Sequence, residues 1–318
     1  MQGYLGIDVG SVSTNFIVLD DVNNNIKSSL YLRTNGQPIE AIQEGMDVVS
    51  NELGNGFKIL GAGVTGSGRQ LAGAIVGADA IKNEITAHAV AALTMVPDVR
   101  TILEIGGQDS KIILLRDGVV TDFAMNSVCA AGTGSFLDQQ AARLKTPIKE
   151  FGELAIRSQS QVRIAGRCTV FAESDMIHKQ QMGYSREDII WGLCEALVRN
   201  YLNNVGKGKE ILSTVVFQGG VAANKGIKQA FETVLETKVI VPEYYDVMGA
   251  IGAALLAKEE VALTGSTKFK GFDVMQETFL CKSFDCSGCS NNCEIIVISM
   301  GKEIVGRWGG RCDKWELS

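Results

Sequence analysis

Apolar side chains fill most of residues 4–10 and 14–20, with a run of small residues between them, which predicts two buried strands joined by a tight turn. A third strand is expected at 28–32. Ile39, Ile42, Met46, Val49 and Leu53 then recur at spacings of three and four, which predicts a helix that lays one apolar stripe on a sheet. Residues 58–64 read as a strand ending in glycines, and 81–93 as helix-prone. The pattern then restarts: 101–107, 110–115 and 119–124 repeat the order of strand, glycine turn, strand, strand. Further helices are expected at 134–144, 186–205, 224–235 and 249–261, and strands at 213–217 and 238–241.

Such a duplication predicts two related α/β lobes, and a chain of 318 residues exceeds what one core usually serves. The expected division is 1–98 for the first lobe and 99–263 for the second, whose last helix has the option of packing back on the first. Composition shifts after Leu263 through a Gly, Ser, Thr and Lys-rich linker, so 264–318 is read as a separate tail with a β-hairpin at 294–308.

The net charge of −6 supplies no basic footprint, so nucleic acid is not an expected partner. The weakly charged stretch 247–257 is far short of the ~20 residues a membrane helix needs, and Met1-Gln2-Gly3 runs directly into a strand pattern rather than a signal peptide. The expected location is cytoplasmic, without membrane contact.

Three glycine turns suggest where chemistry sits. Gly10, the pair Gly106 and Gly107, and the pair Gly219 and Gly220 lack Cβ atoms, so their backbone N–H groups can approach a phosphate or an adenosine closely. Asp8 and Asp109 stand at the ends of two of these turns, where carboxylates hold a hydrated magnesium ion through water. The eight cysteines read as thiols or metal ligands rather than disulfides. Cys129, Cys168 and Cys194 are scattered, whereas Cys281, Cys286, Cys289, Cys293 and Cys312 crowd the tail, offering five thiolates to a site that needs four. Their spacing suits an iron–sulfur centre or zinc. Cys194, at helical spacing with Ile190 and Leu197, reads as core, and neither His88 nor His178 is read as a ligand.

The segments Asp8-Val-Gly-Ser-Val-Ser-Thr14, Glu104-Ile-Gly-Gly-Gln-Asp109 and Gln218-Gly-Gly-Val-Ala-Ala-Asn224 resemble the phosphate and adenosine motifs of the acetate/sugar kinase, heat-shock chaperone and actin superfamily. More narrowly, Asn126-Ser-Val-Cys-Ala-Ala-Gly-Thr-Gly-Ser-Phe-Leu-Asp138 and Cys168-Thr-Val-Phe-Ala-Glu-Ser174 resemble the activators of 2-hydroxyacyl-CoA dehydratases and the ATPase subunits of benzoyl-CoA reductase.

This resemblance implies two ribonuclease-H-like lobes that bind ATP or ADP with Mg2+. It places Gly10, Ser11, Ser13 and Thr14 on the first phosphate loop, Gly106 and Gly107 on the second, and Gly219, Gly220, Val221 and Asn224 on the adenosine. It also implies a homodimer bridged by one [4Fe–4S] cluster on Cys129 and Cys168 of each subunit, with the helix opening at Gly132, Thr133 and Gly134 aimed at the cluster. Gln108 or Asp109 orients the attacking water in this reading. Glu104, counted with them as catalytic, stands where dehydratase activators usually carry aspartate, and Ala87 beside His88 where relatives often carry cysteine. The implied function is ATP-dependent delivery of a low-potential electron, received from ferredoxin or flavodoxin, to an iron–sulfur acceptor. That acceptor is a 2-hydroxyacyl-CoA dehydratase or a double-cubane cluster protein. The alternatives are an amino-sugar kinase, which leaves the two cysteines without a role, and a nucleotide switch without redox chemistry.

Overall fold

The computed structural model describes residues 1–126, 128–166 and 168–315, with Asp313 described in its backbone only. The chain divides into two compact units, Met1–Ala91 with Gly249–Ser318, and Ala92–Met248.

In the first unit the chain runs β1 (Gln2–Val9), β2 (Ser13–Asp20), β3 (Ile26–Arg33), α1 (Pro38–Leu53), β4 (Lys58–Thr65), α2 (Arg69–Val76) and β5 (Ala80–Ile81), then enters α3 (Glu84–Met95). The second unit carries β6 (Thr101–Ile105), β7 (Ser110–Arg116), β8 (Val119–Asn126), α4 (Gly134–Arg143), α5 (Ile148–Ala155), α6 (Thr169–Gln181), α7 (Arg186–Asn204), β9 (Val215–Gln218), α8 (Lys225–Leu235) and β10 (Val239–Ile240). Its sheet order is β10-β9-β6-β7-β8, against β3-β2-β1-β4-β5 in the first unit. Read from the matching end, the two orders are the same, with antiparallel pairs at β1–β2–β3 and β6–β7–β8 and parallel pairs at β1–β4–β5 and β6–β9–β10. The repeat seen in the sequence is thus a repeat of topology, as expected for two ribonuclease-H-like lobes.

The central strands are apolar on both faces because both are covered. In the first unit Leu5, Ile7, Phe16 and Val18 pack with Ile42, Met46 and Val49 of α1. In the second, Leu103, Ile105 and Phe217 pack with Ile190, Leu193, Leu197 and Tyr201 of α7.

After β10 the chain forms α9 (Met248–Thr264) and then β11 (Phe279–Asp285), β12 (Glu294–Met300) and β13 (Glu303–Trp308). From Gly249 onward these belong to the first unit. The reason is steric. A Cβ on Gly6 of β1 would collide with the Ala250 carbonyl oxygen, and one on Gly63 of β4 with that of Ala253, so a helix of small residues lies directly on a sheet that has glycines beneath it.

The tail is a three-stranded antiparallel sheet, β11-β12-β13, rather than a hairpin alone. It is not a separate body either, since Val274, Phe279 and Ile298 join the core of the first unit. The Gln43 amide donates to the carbonyls of Met275 and Glu277 at 3.2 and 2.8 Å. Among the described residues no helix is long and apolar enough to cross a membrane.

Candidate nucleotide turns and cysteine pair

In the first unit the turn between β1 and β2 is closed by the Gly10 N–H donating to the Ser13 carbonyl at 2.8 Å. Thr34 donates its hydroxyl to the Gly10 carbonyl at 3.0 Å. Thr14 is fully buried with its hydroxyl 2.9 Å from that of Thr34, so it braces the turn from beneath, whereas Ser11 is exposed at the tip and Ser13 half-buried. Asp8 ends β1 in a notch that only glycine leaves open. A Cβ on Gly66, whose φ is +90°, would stand 2.5 Å from Asp8 Oδ1, and one on Gly249 would collide with Oδ2.

The corresponding turn of the second unit is closed by the Gly106 N–H donating to the Asp109 carbonyl at 3.0 Å. Gln108 stands exposed at its tip. Beneath it lies a lysine that sequence reasoning did not single out. Lys111 is only 2% exposed, and its ammonium lies 3.0 Å from Glu104 Oε2 and 2.9 Å from Asp109 Oδ2. The hairpin register supplies the signal that would have found it: Ile105 pairs with Ser110, and therefore Glu104 with Lys111 directly opposite. The Tyr201 hydroxyl of α7 donates to the Lys111 carbonyl at 2.6 Å. Burial first, and the Glu104 charge second, hold that phenol well above its ordinary range.

The third turn follows β9. Gly219 adopts φ +88° and donates its N–H to the Tyr245 carbonyl at 2.7 Å. Asn224 caps α8, its Oδ1 accepting from the Ile227 N–H at 3.1 Å, while its buried Nδ2 has no partner among the described residues. Val221 is buried at the head of the same short helical turn. Glu104 reaches this turn as well. Its Oε1 would be 2.6 Å from a Cβ on Gly219 and 3.4 Å from one on Gly106, so one carboxylate underlies both glycine turns.

The cysteine segment is tied to the same place. The first residues of α4 hold the second glycine turn: the Gly134 N–H donates to the Gly106 carbonyl at 2.9 Å, and Ser135 donates to the Gly107 carbonyl from its N–H at 2.8 Å and its hydroxyl at 2.6 Å. Immediately before them Cys129 heads the 3₁₀ turn Ala130–Gly132, and the Thr133 hydroxyl closes that turn on the Ala130 carbonyl at 2.8 Å. The Asn126 side chain clamps Cys129, accepting from its N–H at 2.9 Å and donating to its carbonyl at 2.9 Å.

Cys168 occupies the N-cap position of α6, in extended conformation at the positive end of the helix dipole. The loop leading to it is held by α7, with Arg199 donating to the Ile164 carbonyl and Asn200 to the Gly166 carbonyl, both at 2.7 Å. Both thiols are half-buried. Their neighbours are exposed and apolar: Val128 is 96% exposed, Val170 67% and Phe171 65%.

Elsewhere, Cys194 is buried in α7 and burial pushes its thiol up, as fits a core residue. His88 is buried in α3, and His178 lies exposed in the last turn of α6. In the tail, Cys286 Sγ accepts from the Trp315 indole N–H at 3.1 Å and the Gly288 N–H at 3.5 Å. These donors, the indole first, hold that thiol below its ordinary value. Cys281, Cys289 and Cys312 are exposed and Cys293 half-buried. Among the described residues no three His, Cys, Asp or Glu side chains gather as a metal cage, so the five tail cysteines are not brought together.

The (R)-2-hydroxyglutaryl-CoA dehydratase activating ATPase of Acidaminococcus fermentans is 36% identical to this chain over 263 residues, which is 81% of this chain and 98% of that protein. The activator of lactoyl-CoA dehydratase of Anaerotignum propionicum is 38% identical over 261 residues, 80% of this chain and 97% of that one. The solved structure of the activator of 2-hydroxyisocaproyl-CoA dehydratase from Clostridium difficile, with bound ADPNP, superposes with a TM-score of 0.73 at 33% identity, covering 83% of this chain and 97% of the other. The profile of the BadF/BadG/BcrA/BcrD ATPases matches residues 5–257, which contain all three glycine turns together with Cys129 and Cys168, and the chain belongs to that ATPase family.

Proposed function

We propose that this ATPase is an electron-transfer activator, which hydrolyses ATP to deliver a low-potential electron from a cluster shared by two copies of the chain to an iron–sulfur acceptor protein. One observation carries the reading. The carbonyls of Gly106 and Gly107, on the turn read as the second phosphate loop, are held by the first residues of α4, only a few positions after Cys129. A nucleotide that shifts this turn shifts the cysteine segment with it.

The residues present fit the groups the reading requires. The glycine turns are of the kind that binds phosphate and adenosine through backbone groups, and the Asp8 notch keeps a carboxylate at the end of the first turn, suited to a hydrated Mg2+. Asn224 Nδ2 offers a buried donor at the adenosine turn. Cys129 and Cys168 are two half-buried thiols, each heading a helical turn, and their sequence neighbours Val128, Val170 and Phe171 are exposed apolar side chains that a second copy of the chain would cover. These two cysteines, with the same pair from a partner, would hold a [4Fe–4S] cluster, which supplies one low-potential electron at a time when bound.

The chain's own residues do the rest. Gln108 and Asp109 orient the attacking water at the turn, since phosphoryl transfer depends chiefly on alignment. Asn126 and α7 hold the two cysteine segments in place. The names of the relatives favour an acyl-CoA dehydratase as acceptor, with a double-cubane cluster protein as the other candidate, a ferredoxin or flavodoxin as donor, and the cytoplasm as location. For the tail, zinc and an iron–sulfur centre remain the two candidate metals. Its cysteines do not assemble a cage among the described residues, so electron delivery is assigned no step there.

Anaerobic purification tests the reading. The expected product is a brown dimer that hydrolyses ATP and carries about four irons per dimer lost on Cys129→Ser. A colourless monomer, or iron unchanged by that substitution, would overturn it.

A further inference from the structure

Lys111 is the most deeply buried ammonium of the molecule's described charged groups, and it sits under the turn where hydrolysis is placed. A buried cation persists only where carboxylates satisfy it. Here two do so, from opposite sides of one hairpin. The roles of the two carboxylates differ. Glu104 is 4% exposed and extends under both glycine turns. Asp109 is about one-third exposed; Lys111 engages its Oδ2, and its Oδ1 lies over Gly106, 2.9 Å from where a Cβ would stand. The ammonium therefore selects which oxygen of Asp109 faces the turn.

We infer that Lys111 is a positioning residue for ATP hydrolysis: it fixes the Asp109 carboxylate over the second phosphate turn. Through Glu104 it also locks that turn to the adenosine turn at Gly219. The inference rests on the nucleotide reading of these turns and deepens it. It replaces the catalytic role expected of Glu104 with a structural one. Glutamate at this position follows directly, because one carboxylate must touch Lys111 and also fill the space beneath Gly219. An aspartate, one methylene shorter, cannot span both.

The test separates positioning from simple charge balance. Lys111→Met alone takes the ammonium away from the buried Glu104 carboxylate and is expected to fold poorly. The paired change Lys111→Met with Glu104→Gln removes one charge of each sign at nearly constant volume and is expected to restore the melting temperature. In the paired variant kcat for ATP should stay down by about 100-fold, the scale of a misplaced reacting group, with KM changed less than about threefold. Adding Asp109→Ala to it should cost nothing further, because the two act as one unit. Wild-type hydrolysis rates in the folded paired variant, or losses that multiply when Asp109→Ala is added, would overturn the inference. Binding of fluorescent ADP to the unmodified chain is measured alongside, and its failure would instead remove the nucleotide reading underneath.

Discussion

The two glycine turns occupy equivalent places in sheets of identical strand order, yet they are built from different materials. The first is supported by hydroxyls, Thr14 on Thr34 and Thr34 on the Gly10 carbonyl, with Asp8 set in a glycine notch. The second is supported by charge, with Lys111 between Glu104 and Asp109, and its outward carbonyls are taken by α4. The difference teaches that a duplicated topology fixes where a glycine turn lies but leaves free what it is attached to. The second turn is hydrogen-bonded to the first residues of α4, a few positions after Cys129.

The comparison predicts separable losses. The largest belongs to Cys129→Ser, which should reduce electron delivery to background while leaving nucleotide affinity within about threefold, read by acceptor reduction and by equilibrium binding; coupled loss of ATP binding would erase the distinction between the turns and the thiol. Asp8→Ala should lower kcat for hydrolysis by roughly 10²–10³ without changing iron content, and bleaching by that change would show that the hydroxyl-built turn also governs the cluster. Next comes Asp188, whose carboxylate holds residues 158–160 to the start of α7. The Ser185 hydroxyl, then the Ser160 N–H, the Ser158 hydroxyl and the Gln159 N–H, lower it from 3.8 to about 2, against the opposing effect of burial. Its contribution is therefore complete above 3.8 and lost as pH falls toward 2. Asp188→Asn should cost about 1–3 kcal/mol at neutral pH and flatten the acid limb of a denaturation curve. The smallest effect is expected from Ser135→Ala, about 1 kcal/mol in stability. Hydrolysis should continue at near the original rate, with fewer electrons delivered per ATP. An unchanged ratio would mean that the α4 link carries no signal.

Much of this arrangement was legible in the sequence because its signals are local. The strand, turn, strand order recurs in plain view, and Cys194 announces itself as core by its spacing with Ile190 and Leu197. What escaped was non-local. Lys111 begins an apolar strand and reads as its polar edge until the register places Glu104 opposite. Strand β11 has no apolar alternation, with only Phe279 of its seven residues buried, and it becomes a strand by pairing with β12. Helix α6 buries only Ala172 and Met176, too sparse a stripe to show a period. The small residues of α9 predict a helix but not which sheet it meets, and the answer lies in Gly6 and Gly63, some two hundred positions earlier.

That last packing has a bearing on how the chain is made. The second unit is a continuous stretch and can complete its core as soon as it leaves the ribosome. The first begins to emerge earlier but must wait with the glycine face of β1 and β4 uncovered until α9, some two hundred positions later, arrives. Of the two units, the one that starts to emerge first is thus the one finished last, and it is the one that a holdase would be expected to attend.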